Sequence, residues 1–233
     1  MDSDDDDRDP LDHFMKSDVS IVPIQPPSVR HGEMLQLSFP GVNSDAKITI
    51  DLMLDAAPGC GGVAWPAGEV LARYLVKRGP HSLHGKNVLE LGSGTGLVGL
   101  VAGMLGGTVC LTDQAPLLNI MRENVEINRL SRLCNVLELN WGEPIPAAIP
   151  RPDIILAADC VYFEPAFPLL VQTLCDLVDE DTEVLFCYKK RRKADKRFFT
   201  ILKKKFKWSD VLDDPARATY SRESISLLRL TKV

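Results

Sequence analysis

The residues whose types and spacing favour chemistry lie in the stretch from Asn87 to Asp113. They combine an acid, a serine-containing glycine turn and a terminal acid: Glu90, Gly92, Ser93, Gly94, Gly96 and Asp113. Strand-like runs flank an apolar helical segment, which makes a βαβ unit of about 30 residues. Glycine lets a backbone approach a ligand closely, and a carboxylate about 20 residues beyond the first glycine suits ribose hydroxyls. The stretch therefore predicts a site for a nucleoside-containing cofactor.

A second candidate site follows the apolar run from Asp153 to Ala158. The run is continuously apolar, as expected of a central strand covered on both faces. It ends at the carboxylate of Asp159, and Tyr162 follows three residues later. In a doubly wound sheet this end of a strand faces the ligand crevice. The alternative is that Asp159 only caps the following turn, a common role for aspartate.

The elements around these residues predict an α/β fold. Two alternating segments from Glu33 to Leu54 predict an accessory β-hairpin, because a turn-rich joint separates them. Trp65-Pro66 opens a helix that Gly79-Pro80 ends. Here Trp65 is more typical of a core anchor than of a ligand contact. Further on, strands alternate with helices and two strands come late, which predicts a doubly wound, Rossmann-like sheet closed by an antiparallel pair.

Composition predicts one soluble domain with an extension. The chain has 233 residues, 45% hydrophobic and 25% charged, and a net charge of −5. Residues 1–30 open with an acidic run and are expected to be largely disordered, either as a solubilising tail or as an attractor for a basic partner. Residues 31–233 are expected to form the single folded domain.

Several partner classes are disfavoured by the same composition. No apolar stretch approaches the ~18 residues that a membrane span needs, and the acidic N-terminus is unlike a targeting peptide. The six cysteines are scattered without a C-x-x-C pair. They predict buried thiols in a reducing, cytoplasmic compartment and no metal site.

The segment from Lys189 to Lys207 is basic and invites a nucleic-acid interpretation. Apolar residues interleave with the charges at helical spacing: Phe198, Ile201, Leu202 and Phe206. A solvated helix face is therefore favoured, with docking of an acidic protein surface as a second role. Stacking platforms typical of single-stranded RNA binding are not evident.

The glycine spacing identifies the cofactor class. A dinucleotide fingerprint needs G-x-G-x-x-G, whereas this chain has G-x-G-x-G preceded by Glu90. The pattern resembles motif I of the seven-strand S-adenosylmethionine-dependent methyltransferases. That resemblance implies that the turn wraps the methionine end of the cofactor and that Asp113 holds its ribose. The alternative is a tight strand–helix turn with an empty crevice.

The resemblance becomes more specific at Asp159-Cys160-Val161-Tyr162. This matches the D-x-x-Y signature of the family-16 protein-lysine methyltransferases, and the likeness extends over roughly residues 33–231. It implies cofactor contacts at Trp65, Gly92 to Gly94, Asp113, Trp141 and Ala158, and it places Asp159 and Tyr162 beside the acceptor lysine. Within the family the chain looks most like the fungal branch that methylates translation elongation factor 1-alpha.

The sequence therefore predicts a monomeric, cytoplasmic enzyme that transfers a methyl group from S-adenosyl-L-methionine to a protein lysine. Two alternatives stay open. One is a small-molecule or nucleic-acid methyltransferase on the same fold, since fold does not fix the acceptor. The other is a non-catalytic cofactor-binding module.

Overall fold

A computed structural model of the protein describes residues 32–41, 47–55, 60–190 and 195–233. The strands are β1 (Glu33–Pro40), β2 (Lys47–Leu54), β3 (Asn87–Leu91), β4 (Thr108–Asp113), β5 (Cys134–Glu138), β6 (Ile154–Ala158), β7 (Glu183–Lys189), β8 (Phe206–Asp210) and β9 (Ile225–Lys232). The helices are α1 (Pro66–Lys77), α2 (Leu97–Met104), α3 (Leu118–Ile127), α4 (Phe167–Leu177), α5 (Asp195–Leu202) and α6 (Arg217–Arg222). The acidic extension 1–30, the hairpin joint 42–46 and the basic residues 191–193 lie outside the described residues.

The main sheet has seven strands in the order β5-β4-β3-β6-β7-β9-β8. The first five are parallel, and β9 runs antiparallel to both β7 and β8. From β3 the chain moves to β4 on one side and later returns to β6 on the other. This reversal of strand order makes the crevice beyond β3 and β6 the expected ligand site. The predicted doubly wound sheet with a late antiparallel pair is confirmed.

Two hydrophobic clusters cover the two faces of the sheet. Along β3, Val88 packs into the cluster that contains α1 and α2, whereas Leu89 and Leu91 pack into the cluster that contains α4 and α5. Side chains alternate between the faces of a strand, so a strand covered on both sides must be apolar at nearly every position. This explains the continuous apolar runs of the central strands.

The predicted accessory hairpin is confirmed as a separate two-stranded sheet. Asparagine side chains of α3 and of the residue that follows it join the hairpin to the domain. The Asn124 amide accepts from the Met53 N–H (2.6 Å) and donates to the carbonyl oxygens of Met53 and Thr95 (3.1 and 3.0 Å). Asn128 makes the same pair of bonds with the backbone of Asp51. Because Thr95 belongs to the glycine turn, Asn124 links the hairpin directly to the predicted cofactor site.

Within the described residues, no helix has the length and apolar character needed to cross a bilayer. The same part of the chain holds no cluster of histidine, cysteine and acidic side chains suited to a metal ion. Four of the cysteines that the structure describes are buried, as predicted, namely Cys110, Cys134, Cys160 and Cys187, whereas Cys175 is only partly buried.

Candidate active site

The glycine turn, Gly92–Gly96, connects β3 to α2 at the point where the strand order reverses. Gly92, Gly94 and Gly96 have φ angles of 60°, 56° and 83°, in the left-handed region that favours glycine. A Cβ on Gly94 would lie 2.4 Å from the carbonyl oxygen of Gly61. The alternate glycines are therefore required by backbone conformation, and at Gly94 also by the close approach of the loop before α1.

Glu90 lies beneath this turn and is 3% exposed. Its carboxylate accepts the Gly99 N–H (3.0 Å) in the first turn of α2. Burial raises the pKa of this carboxyl to about 8, although hydrogen bonds from Gly99, Ser93 and Val98 oppose the shift. Glu90 thus fixes the start of α2 and the turn before it, and its predicted direct contact with the cofactor stays a prediction.

Ser93 and Thr112 complete the support of the turn. The Ser93 N–H donates to the Thr112 carbonyl (3.0 Å), and the Thr112 N–H donates back to the Ser93 hydroxyl (3.0 Å). The Thr112 hydroxyl donates to the Glu90 carbonyl (2.6 Å). These buried bonds hold the glycine turn against the end of β4, which carries Asp113.

Asp113 ends β4 beside the turn. Its two carboxylate oxygens accept the N–H groups of Gly94 (2.8 Å) and Gln114 (2.7 Å). Burial raises the pKa of this carboxyl to about 6, and the two backbone bonds oppose that rise. A carboxylate has about four lone-pair sites, so the two oxygens retain capacity for hydroxyl donors. The carboxylate therefore suits a ribose with two adjacent hydroxyls.

Trp141 and Cys160 lie against Gly92. A Cβ on Gly92 would be 3.0 Å from the Trp141 ring and 3.2 Å from the Cys160 Sγ. The Gly142 N–H donates to the Thr173 hydroxyl (2.9 Å), which anchors the loop that carries Trp141. The structure thus brings Trp141, from the loop after β5, to the first glycine of the turn.

Trp65 and Ala158 occupy two other borders of this region. Trp65 directly precedes α1, and its side chain is 37% exposed. Trp65 is therefore not the fully buried core anchor that spacing alone favoured, and the cofactor contact that the resemblance implies stays a prediction. Ala158 is the last residue of β6, half-buried and paired with Cys187 of β7.

Asp159 follows β6 with a φ of 55°, one of the few non-glycine residues in the left-handed region. Such strain of a buried residue often marks a functional site, and Asp159 is 6% exposed. Its Oδ1 accepts the Lys189 N–H (2.9 Å) at the end of β7, while its own N–H donates to the Cys187 carbonyl (2.8 Å). The carboxylate therefore bridges two strand ends rather than capping only the following turn.

Tyr162 is half-buried in the loop after Asp159. This loop is tied to α5, because Arg197 donates a hydrogen bond to Glu164. We call the segment 159–162, together with Lys189, the acceptor side. The Cys160 thiol connects it to the glycine turn by donating to the Leu91 carbonyl (3.3 Å).

Several residues of the site were not identified as such from the sequence. Gly61 covers the turn, Thr112 and Cys160 fix the ends of strands, and the Lys189 N–H binds Asp159. The glycine-rich stretch before Trp65 was the one available signal, since clustered glycines indicate close backbone approach. A buried cysteine or threonine at a strand end gives no comparable signal.

Comparison with known proteins agrees with this geometry. Residues 44–205 match the model of a family described as lysine methyltransferase. The chain is 39% identical over 201 residues to the protein-lysine N-methyltransferase EFM6 of Saccharomyces cerevisiae, covering 75% of this chain and 82% of the relative. It is 42% identical over 164 residues to the protein N-lysine methyltransferase METTL21A of Danio rerio, covering 68% and 74%.

A solved structure supports the fold. The Thermus thermophilus 16S rRNA N2 G1207 methyltransferase, in complex with AdoMet and guanosine, aligns with a TM-score of 0.59 at 19% identity. The alignment covers 89% of this chain and 52% of that chain, and at this identity it bears on the fold alone. The glycine turn and the Asp113 carboxylate fit S-adenosylmethionine, and the sequence matches give the family. The chain therefore belongs to the lysine methyltransferase family and is an S-adenosylmethionine-dependent protein-lysine N-methyltransferase.

Proposed function

We propose that the protein substrate is translation elongation factor 1-alpha and that its acceptor lysine enters at the acceptor side. Support comes from the likeness to the fungal branch of the family and from the identity with a yeast relative. We further propose that residues 31–233 act as one domain, and that the enzyme works in the cytoplasm as a monomer.

The observation that carries the catalytic assignment is the conformation of Asp159. A left-handed φ costs an L-residue about 1–2 kcal/mol, and a buried carboxylate is expensive unless it is well bonded. Asp159 combines both features directly after the central strand β6 and is joined through Cys160 to the glycine turn. Because neither feature is needed to end a strand, their coincidence here favours a chemical role.

The chemistry requires an unprotonated, oriented amine. A lysine is protonated near neutral pH, with an ordinary pKa of about 10.4, so it must lose a proton before its lone pair can attack. Bound S-adenosylmethionine supplies an electrophilic methyl group on a sulfonium. We assign to Asp159 the hydrogen bond that orients the amine. We assign to Tyr162 either a ring that packs against the substrate lysine or a hydroxyl that forms a hydrogen bond with it. Since holding two reactants in line lowers the barrier greatly, positioning is the main contribution expected of both.

On the cofactor side we assign the ribose hydroxyls to Asp113 and the methionine end to Gly92, Ser93 and Gly94, with Gly96 and Glu90 holding the turn. Trp141, Trp65 and Ala158 would border the rest of the cofactor. The contact between Trp141 and Gly92 supports this assignment, because it places an aromatic ring directly beside the turn.

The decisive test compares Asp159→Asn with Asp153→Asn. Asparagine tolerates the left-handed region and can still accept the Lys189 N–H, so the variant removes the charge with little change in shape. Asp153 is a matched control, because it lies just before the same strand, at its other end, and also accepts a backbone N–H, that of Asn87. With purified elongation factor 1-alpha and labelled S-adenosylmethionine, we expect Asp159→Asn to lower turnover about 100-fold or more. Cofactor affinity should be unchanged, and the control should be fully active.

The acceptor is tested by labelling a cell extract with the wild-type protein. A labelled band at the mass of elongation factor 1-alpha, lost with Asp159→Asn, supports the proposal. A different protein band would keep the lysine chemistry and overturn the substrate. Label found only in RNA or in small metabolites would contradict a protein acceptor, and full turnover by Asp159→Asn would remove Asp159 from the mechanism.

A further inference from the structure

A shallow groove lies next to the acceptor side. It has a volume of about 260 Å³ and is bordered by β7, α5 and β8. Its walls combine aromatic rings with lysines: Tyr188, Lys190, Asp195, Lys196, Phe199, Thr200, Lys203 and Trp208. We call it the lysine–aromatic groove. None of these residues has a role in the mechanism described above.

The groove begins beside the acceptor side along β7. Tyr188 and Lys190 flank Lys189, whose N–H binds the Asp159 carboxylate. Strand residues are spaced about 3.3 Å apart, so the groove begins within one residue of the group assigned to the acceptor amine. We infer that a substrate with its lysine beside Asp159 reaches the groove with neighbouring residues of its own chain.

The charge of the groove is positive at its rim. Lys190, Lys196 and Lys203 are all exposed, and none of them joins an ion pair with another described residue. The one acid that lines the groove, Asp195, is 3% exposed. Whatever binds here meets lysine ammonium groups first, so the rim favours carboxylates.

The aromatic part of the groove provides an apolar floor. The Phe199 ring lies 4.9 Å from Tyr188 and 5.1 Å from Trp208, measured between centroids, with interplanar angles of 49° and 59°. Trp208 remains 38% exposed. The rings are tilted against one another, whereas a nucleic-acid platform presents faces on which successive bases stack. The sequence did not show that these rings meet. Their arrangement favours a protein side chain over a base.

We propose that the lysine–aromatic groove binds an acidic segment of the protein substrate, adjacent to the target lysine, with one apolar side chain on the aromatic floor. The proposal rests on the proposed function, because it assigns the groove to the substrate of the same active site. It adds a recognition rule, namely that acidic and apolar residues next to the acceptor lysine select the substrate.

Two charge-reversed double variants test the groove. The first is Lys196→Glu with Lys203→Glu, which reverses the rim. The matched control is Lys204→Glu with Lys207→Glu, which makes the same change in net charge on exposed residues that do not line the groove. Because both variants alter the long-range field equally, a difference between them isolates contact within the groove. Trp208→Ala removes the exposed ring of the floor.

The binding probe is a fluorescein-labelled peptide of alternating glutamate and phenylalanine, compared with one of alternating glutamine and phenylalanine. We expect the glutamate peptide to bind more tightly, and the rim variant to weaken it about tenfold, as loss of a close charge contact does. The control should change binding less than about twofold. With purified elongation factor 1-alpha, the rim variant and Trp208→Ala should raise KM for the protein, while kcat and the affinity for S-adenosylmethionine stay unchanged.

Each contrary result has a distinct meaning. Equal weakening of peptide binding by the two double variants, or equal binding of the two peptides, would overturn the assignment of the groove to an acidic segment. Tighter binding of a single-stranded RNA oligonucleotide than of the glutamate peptide, lost in the rim variant, would assign the groove to nucleic acid. Stronger peptide binding after removal of residues 1–15 would make the acidic start of this chain the occupant. If the peptide results hold but the wild-type enzyme labels a protein other than elongation factor 1-alpha, the proposed substrate fails and the groove stands.

Discussion

The two halves of the active site are built in different ways. The glycine turn is held by hydrogen bonds in which the side chains of Glu90, Ser93, Thr112 and Asp113 take part. The acceptor side joins the ends of β6 and β7, and the residues that follow it are linked to α5 through Glu164. Beside it lies a groove with exposed lysines. The comparison indicates that the turn is held by local hydrogen bonds, whereas the acceptor side depends on contacts between separate segments of the chain.

Among changes to the glycine turn, Gly94→Ala should cause the largest loss of stability. The added Cβ would lie 2.4 Å from a backbone oxygen of Gly61, in a residue with a φ of 56°. We expect a loss of about 3 kcal/mol or more in the free energy of unfolding, from backbone strain and steric overlap together. Gly96→Ala is the control, since its Cβ would meet the Leu111 side chain at 3.4 Å and no backbone within that distance. Denaturant unfolding of both variants measures the difference, and equal losses would refute the close-approach argument.

Asp113→Asn should weaken cofactor binding without unfolding the protein. The amide oxygen can still accept one backbone N–H, but the ribose loses a charged acceptor, which costs about 1.5–3 kcal/mol. Calorimetry should therefore show roughly 10-fold to 100-fold weaker binding of S-adenosylmethionine.

The wild-type affinity should also fall as pH drops through about 6, where the Asp113 carboxyl gains a proton. Asp113→Asn should lack that step. Unchanged affinity in the variant, or an identical pH profile, would contradict the ribose assignment.

Asn124→Ala tests whether the hairpin stabilises the glycine turn. The Asn124 side chain is fully buried and bonds both β2 and Thr95 of the glycine turn. Its removal leaves buried polar groups without partners, so we expect a loss of about 2 kcal/mol in the free energy of unfolding and weaker cofactor binding. Asn119→Ala, at an exposed position of the same helix, should leave both quantities unchanged. Normal cofactor affinity in Asn124→Ala would show that the hairpin is not coupled to the turn.

Glu90→Gln should have an effect on stability whose size depends on pH. Burial raises the pKa of Glu90 from 4.5 to about 8. The folded state therefore holds this proton more tightly than the unfolded chain, and stability is lost as pH rises from about 4.5 to about 8. Glutamine carries no such proton, so the stability of the variant relative to wild type should rise between pH 5 and pH 8. Each kcal/mol gained in the free energy of unfolding should appear as a rise of roughly 2–4 °C in Tm.

Glu138→Gln, at an exposed position, should show no comparable trend. A Tm difference between Glu90→Gln and wild type that stays constant over this pH range would contradict a buried, protonated Glu90.

The sequence by itself determined the cofactor half and the order of the elements. Gly92, Gly94, Gly96 and Asp113 lie within one βαβ unit, and their geometry follows from local backbone rules, namely glycine in left-handed turns and an acid at a strand end. The central strands were equally predictable, because burial on both faces requires an apolar run.

Only the tertiary structure decided the surroundings of these residues. It brought Gly61 over the turn, directed Glu90 to the start of α2, left Trp65 partly exposed before α1, and joined Asp159 to Lys189. It also assembled the lysine–aromatic groove from residues of β7, α5 and β8. Such contacts join segments far apart in the chain. Their positions depend on how the helices and strands pack, which local composition and spacing do not specify.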